Sequence, residues 1–326
     1  MYTERQNILI TGGLGFVGSS LAIRLVQSGA RVTILDNLDS NAGGNLHNIF
    51  SIQDDVTLLS ADIRDFQSVV SAVSGQDLII NCAATTSHPH SMREPWETLE
   101  VNSKGAINVV EACRQFNRTA RLIQIGTSTQ LGVQTCSPAN ELHPEFPLDL
   151  YSATKSAAEK FFLIYAHAYE LPVSVIRFAN IYGPRAAIHS PEFTFNNFFI
   201  GQALGGGPIT VYGDGLQRRN ILFIDDAIDA IISLAKSDKY SGQVFLAGSD
   251  QHLSVLEIAE TIAETFGCTV VSLPWPIDRR AIEIGDVALD NTKTKKWLGW
   301  TPKIDIKQGL TLTKHYYLAH LHHYLR

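Results

Sequence analysis

An α/β fold, a doubly wound parallel sheet with a smaller C-terminal α/β lobe, is predicted by three observations. Short apolar strands alternate with helical segments from Asn7 to Phe178, at roughly 25–30 residues per unit, the rhythm of parallel βα repeats. The opening stretch NILITGGLGFVGSS runs an apolar strand into a glycine turn and then into a helix-compatible segment. After Gly183 the rhythm breaks, because Pro184, Pro191, Gly205-Gly206-Gly207-Pro208 and Gly213-Asp214-Gly215 divide shorter elements. We therefore expect a dinucleotide-binding, Rossmann-type unit over residues 1–182. A substrate-binding lobe is expected over residues 183–326, with some segments returning to the first unit.

The first strand, Ile8 to Ile10, feeds a turn that can be read in two ways. Gly13, Gly15 and Gly18 fit G-x-G-x-x-G, and Gly12, Gly15 and Gly18 fit G-x-x-G-x-x-G. Either way, glycine permits the sharp turn and brings backbone N–H groups at a helix N-terminus close to an anionic pyrophosphate. The helix continues through Leu21 to Ser28 and stops at Gly29, and strand two, Arg31 to Leu35, ends at Asp36. An acidic residue about 20 positions beyond the glycines can accept hydrogen bonds from a ribose 2′-OH. Its charge would repel a 2′-phosphate and Asn37 brings no cation, so NAD is favoured over NADP.

Val56 to Ser60 form strand three, and Asp65 caps a helix running through Val73. Asp62 lies just beyond a strand's C-terminal end, where ligands sit in open parallel sheets. Strand four, Asp77 to Asn81, leads into Cys82-Ala83-Ala84-Thr85, whose small side chains let a flat ligand approach the backbone. A long helix follows from Glu94 to Asn117, then strand five from Arg121 to Ile125, ending in Gly126-Thr127-Ser128-Thr129. A second long helix spans Tyr151 to Tyr169, and strand six spans Val173 to Phe178.

Composition narrows the function. The 326 residues are 45% apolar and 18% charged with net charge −6, which argues against nucleic acid as a partner. No apolar run approaches a membrane span, and no signal peptide is expected. Cys82, Cys113, Cys136 and Cys268 lack paired spacing, so no disulfide or zinc site is expected and the cytoplasm is the default. His315, His320, His322 and His323 in the tail do not form a metal motif. That segment, from Lys307 to Arg326, reads as a surface amphipathic helix with Leu310, Leu312, Tyr316, Leu318 and Leu321.

The chemistry centres on Tyr151-Ser-Ala-Thr-Lys155. At i and i+4 of a helix, phenol and ammonium share one face. A phenol ionises near pH ~10, and a neighbouring ammonium and a positively charged nicotinamide ring would favour phenolate as a general base. Thr127, at the end of strand five, can hydrogen-bond the same substrate oxygen.

Taken together, these stretches resemble the extended short-chain dehydrogenase/reductases, in particular the NAD-dependent sugar-nucleotide epimerase/dehydratase family. The likeness covers nearly the whole chain. It rests on TGGLGFVG, Leu35-Asp36-Asn37, Ala61-Asp-Ile-Arg-Asp65, Cys82-Ala-Ala-Thr-Thr-Ser87, Val101-Asn-Ser-Lys-Gly105, YSATK and Arg177-Phe-Ala-Asn-Ile-Tyr-Gly-Pro184. It continues in Val211-Tyr-Gly-Asp-Gly215, Arg219 to Asp226, Ile284-Gly-Asp286 and Leu298-Gly-Trp300. The resemblance implies that Thr127, Tyr151 and Lys155 are catalytic. It implies cofactor contacts from Gly12, Gly15, Phe16, Val17, Gly18, Asp36, Asn37, Asp62, Ile63, Ala83, Ala84, Thr85 and Asn102, with Tyr151 and Lys155. Substrate contacts would come from Ser87, Thr127, Asn180, Arg219 and Arg280, with an arginine fork suited to diphosphate oxygens. The resemblance also settles the glycine register on Gly12, Gly15 and Gly18.

Three departures from the family pattern stand out. Family dehydratases carry an acid directly after the catalytic threonine, and this chain has Ser128 and Thr129. Gln130-Leu131-Gly132 replaces the usual Val-Tyr-Gly, which suggests an unusual pocket wall, and Asn81 stands where histidine is common. The expected activity is nucleotide-sugar epimerisation, most simply at C4. A 4-keto-sugar reductase or dehydratase is the alternative, and a non-catalytic NAD-binding sensor is a third reading. The long helices, with Ile107/Val110 and Phe161/Phe162/Ile164/Tyr165, are apolar on more than one face and are expected to build a homodimer.

Overall fold

The computed structural model describes residues 5–236 and 238–325. Six strands fall where the sequence places them: β1 Asn7–Thr11, β2 Arg31–Asp36, β3 Val56–Ser60, β4 Leu78–Asn81, β5 Arg121–Thr127 and β6 Val173–Phe178. A seventh strand, Gln243–Ala247, joins the same sheet, which runs in the order (243–247)-β6-β5-β4-β1-β2-β3 with every pairing parallel. Sequence reading missed this strand because it lies beyond the break in rhythm and belongs to no regular βα unit.

Alternation along the strands builds a three-layer core. Ile8 and Ile10 of β1, Ile34 of β2, Ile80 of β4 and Ile123 of β5 point to one side. There they meet helix α1, Phe16–Gln27, and the helix Ile224–Ala235. Leu9, Leu35, Ile79, Leu122 and Val173 point to the other side. That side is covered by α2 (Phe66–Val73), the helix Gly105–Phe116 and the helix Leu150–Tyr169. Asp65 caps α2 as expected, accepting from Gln67 N and Ser68 N.

The long helix predicted over 94–117 is divided. Following α3 (His88–Arg93), it comprises α4 (Pro95–Leu99), a π-helical turn (Glu100–Lys104) and α5 (Gly105–Phe116). The π turn swings Asn102 toward strand β4's exit, and Gly105 lets the helix pack closely on the Ile63 side chain. Helix α6, Leu150–Tyr169, starts one residue earlier than predicted, capped by Asp149.

Asn81 has a structural role. It accepts a 2.5 Å hydrogen bond from Thr11 Oγ1 and donates to Gln124 Oε1 at 2.7 Å, stitching β1, β4 and β5 side chain to side chain. Gln130 does not shape a pocket wall as the sequence suggested. It is fully buried and donates to Glu159 Oε2 at 2.9 Å, because Arg177 and Glu159 form a buried ion pair that draws polar groups inward. The tail helix, Ile306–His320, buries Leu310, Thr313 and Tyr317, while Leu312 and Leu318 stay exposed. His320 and His323 pack against His47, and Tyr324 donates to Asn48. Arg326 lies outside the described residues. Among those residues no helix is long and apolar enough to cross a membrane.

Candidate active site

Strand order reverses between β1 and β4, and the site opens there, beyond the strands' C-terminal ends. Gly12 takes φ +67°, and a Cβ on it would lie 2.7 Å from Ala83 Cα, so the turn after β1 presses against the exit of β4. A Cβ on Gly18 would strike Gly12 O, which closes α1 onto the turn. Gly15 differs: its nearest neighbour would be Gly12 O at 3.4 Å, so the space beside it is kept for something outside the fold. Gly12, Gly15, Phe16, Val17 and Gly18 all line a long cleft. Gly13 does not; its Cβ would meet Ile34, so it serves packing. No side chain caps α1, which leaves its first N–H groups turned toward the cleft.

Asp36 is buried and fixes the turn, accepting from Leu14 N (3.0 Å) and Leu38 N (2.9 Å). Burial raises its pKa and these two backbone bonds oppose the rise. Asn37 donates to Asp62 at 3.1 Å. Asp62 is held by the Arg64 guanidinium at 2.7–3.0 Å. Burial pushes the Asp62 carboxyl up, but Arg64 and Asn37 bring it below the usual range. Ile63, Arg64, Ala83, Ala84 and Thr85 continue the lining. Asn102 stands behind this wall rather than in it: its side chain accepts from Thr85 N at 2.9 Å and donates to Thr85 O at 3.0 Å and Thr154 Oγ1 at 3.1 Å. The buried Thr85 Oγ1 has no hydrogen-bond partner among the described residues.

At the far end of the cleft Thr127, Tyr151 and Lys155 come together. Burial pushes the Tyr151 phenol up to about 12, opposed by the Thr127 hydroxyl, and Asp149 adds to the rise. Burial pushes Lys155 down to about 8, with Cys82 and Glu159 acting the other way. A buried phenol and a buried ammonium facing an open cleft favour a ligand that completes their electrostatics.

A second pocket, in the lobe, joins the cleft at Thr86, His88, Thr129 and Asn180. Phe193, Phe198, Tyr212, Trp275, Arg219 and Arg279 line it. Arg219 is nearly buried and donates to Gly285 O at 2.6 Å and to Glu283 at 2.5 Å. Two residues assigned to substrate on sequence grounds lie elsewhere. Ser87 caps α3 and donates to Glu192 at 2.7 Å. Arg280 is exposed and lines neither pocket, and its neighbour Arg279 faces the lobe pocket instead. Sequence reading missed Arg64, His88, Asp149, Trp275 and Arg279. Arg64 and His88 adjoin residues that were singled out, but nothing local marks which neighbour faces inward.

A family model described as GDP-mannose 4,6 dehydratase matches residues 9–313. The chain belongs to that family of epimerases and dehydratases. A UDP-glucose 4-epimerase from Mycolicibacterium smegmatis is 30% identical over 313 residues, covering 95% of this chain and 97% of that protein. Among solved structures, the Thermotoga maritima UDP-glucose 4-epimerase with UDP-glucose superposes with TM-score 0.88 at 27% identity, covering 97% of this chain and 99% of the other. The Streptomyces venezuelae dTDP-glucose 4,6-dehydratase, solved with NAD bound, gives TM-score 0.87 at 25% identity over 96% and 97% of the two chains. For this epimerase/dehydratase fold the cleft fits NAD. The uncapped start of α1 and the space beside Gly15 suit a pyrophosphate, and Asp36, Asp62 and Thr85, whose hydroxyl has no hydrogen-bond partner among the described residues, line the same cleft.

Proposed function

We propose that this protein is an NAD-dependent nucleotide-sugar epimerase that inverts C4 of its sugar. The observation that carries this reading is that Thr127, Tyr151 and Lys155 line one cleft, with Thr127 Oγ1 3.1 Å from the hydroxyl of Thr129, which lines the lobe pocket as well. Ser128 and Thr129, directly after Thr127, add no carboxylate. Gly12, Gly15, Gly18, Asp36, Asp62 and Thr85 would hold NAD, and a bound NAD supplies reversible hydride acceptance. Tyr151 takes the proton of the C4 hydroxyl as the carbon is oxidised and gives it back after the keto sugar has turned over. Lys155 favours the phenolate through its charge, and Thr127 orients the sugar oxygen. Arg219, with Arg279 lining the same pocket, holds the diphosphate, which competes with the Glu283 carboxylate for the Arg219 guanidinium. Asn180 lines both cavities and lies between sugar and phosphate. The exposed faces of α5 and α6, with Ile107, Phe116, Ile164 and Tyr169, pair two copies of the chain.

The test is incubation with UDP-, GDP-, dTDP- and CDP-sugars, with and without added NADH. Interconversion of epimers without net cofactor use is expected. Stoichiometric NADH consumption would instead mark a reductase. Absence of turnover, with ligand binding unchanged by Tyr151→Phe, would mark a sensor.

A further inference from the structure

His88 stands at the junction of the two cavities and is claimed by neither catalytic nor cofactor roles above. Its ring meets the Tyr151 ring edge-on, with centroids 4.9 Å apart and planes at 83°. Its Nδ1 lies 2.7 Å from Asp149 Oδ2. The Asp149 side chain is only 2% exposed and also accepts from Ser152 N (2.8 Å) and Ser152 Oγ (3.1 Å). An ionised Asp149 that already accepts from Ser152 N and Oγ can only accept from His88 as well, which keeps a proton on Nδ1; in the neutral imidazole Nε2 is then the free acceptor. Burial pushes the Asp149 carboxyl up, but the His88 and Ser152 hydrogen bonds bring it below the usual range. The dyad also sits beside the strand-five exit: Ser152 Oγ is 3.0 Å from Thr129 Oγ1, itself 3.1 Å from Thr127 Oγ1. The neutral Ser128-Thr129 pair is thus accompanied by an acid–base group that α3 and the start of α6 bring in from elsewhere in the chain.

We propose that His88, held by Asp149, is a second catalytic base, and that it removes a proton from the carbon next to the C4 ketone of a 4-keto nucleotide sugar. The inference rests on the reading of the site as a nucleotide-sugar site. Tyr151 and Thr127 serve the C4 oxygen, and a ring packed against Tyr151 on the substrate side reaches the atoms one bond away from C4. In the step, the His88 Nε2 lone pair takes the proton. The C–H electron pair forms the enolate double bond, and the carbonyl π pair moves onto O4, where the Tyr151 and Thr127 hydroxyls donate to it. Return of the proton from the imidazolium restores the ketone, on the same face or, after the ring has turned, on the other. No oxidant is consumed. Asp149 is a positioning residue in this scheme.

The experiment supplies the ketone ready-made, so that it does not depend on hydride transfer. The NAD-loaded protein is incubated in deuterium oxide with dTDP-4-keto-6-deoxyglucose, and the recovered sugar is examined by mass spectrometry and proton NMR. Deuterium is expected at C3 or C5 at least about 100-fold faster than in buffer, the lower end of what a positioned general base contributes. His88→Asn is expected to lose at least about tenfold of that exchange, and free imidazole to restore part of it in His88→Gly. Exchange at the buffer rate, or exchange in His88→Asn equal to that of the parent, overturns the inference. Failure of the epimerase reading shows separately, as absence of transient nicotinamide reduction with every sugar of the panel.

Discussion

At the scale of single residues, Gly15 and Gly18 divide the labour of the turn between ligand and fold. Gly18→Ala puts a methyl group into Gly12 O and is expected to destabilise the protein by about 1–3 kcal/mol, as overpacking does. Gly15→Ala meets no backbone atom closer than 3.4 Å, so stability is expected to change by less than about 0.5 kcal/mol. Its methyl group points into the space that suits a pyrophosphate, and NAD affinity is expected to fall about tenfold or more. Urea denaturation and NAD titration of both variants check this; equal losses of affinity and stability in both would contradict it. Lys155 shows how a site residue strains its own fold. Burial lowers its pKa from 10.5 to about 8. The folded state therefore disfavours the charged form, at a cost that is full below pH ~8 and fades as pH rises toward ~10.5. Lys155→Met is expected to stabilise the cofactor-free protein at pH ~7 by on the order of 2–3 kcal/mol while removing turnover. The gain should shrink in unfolding curves taken at rising pH.

At the scale of elements, the π turn between α4 and α5 matters most. A regular helix from Pro95 to Phe116 would carry Asn102 around a different face. The π turn aims it at Thr85, whose N–H and C=O it satisfies together. Asn102→Ala leaves both groups buried without partners, at about 1–3 kcal/mol each. The variant is expected to lose about 2–6 kcal/mol of stability and to bind NAD more weakly, because residues 83–85 lose their brace. Unchanged affinity in a titration would show that the brace is irrelevant to the cleft. Asp149 illustrates the same economy at the start of α6, where one carboxylate caps the helix that bears Tyr151 and Lys155 and also holds His88. The strands themselves were legible because each is a local apolar run bounded by turn residues. The π turn was not, since the apolar pattern of 94–117 is compatible with an unbroken helix and the Asn102 bonds to Thr85 and Thr154 join segments far apart in the chain.

At the scale of the whole molecule, the proposed pairing of two chains through α5 and α6 predicts a dimer with a break point. Val110 and Phe162 face the sheet, whereas Ile107 and Ile164 are 38% and 55% exposed and carry no such duty. Sedimentation at micromolar concentration is expected to give twice the 35.8 kDa chain mass, and Ile164→Glu to give the single mass with the fold retained. A monomeric parent protein would remove the pairing. The lobe adds the other global feature. Its strand Gln243–Ala247 returns to extend the sheet beside β6, and the helix Ile224–Ala235 covers α1, where Arg24 meets Asp229 at 2.7 Å. The chain thus ties its two halves together through the same sheet that positions the cleft.

By itself the sequence determined the βα order up to Phe178, the glycine turn, the Asp36 strand end and the Tyr151/Lys155 face, because each depends on neighbours a few residues apart. The tertiary structure decided what distant segments do to one another. His88 meets Asp149 across 61 positions, Glu283 occupies Arg219 across 64, and Ser87 turns to Glu192 across 105. No local pattern encodes which charged or hydroxyl group will be buried beside which. That choice is made when loops from separate βα units pack at one end of the sheet and most buried polar groups find their partners there.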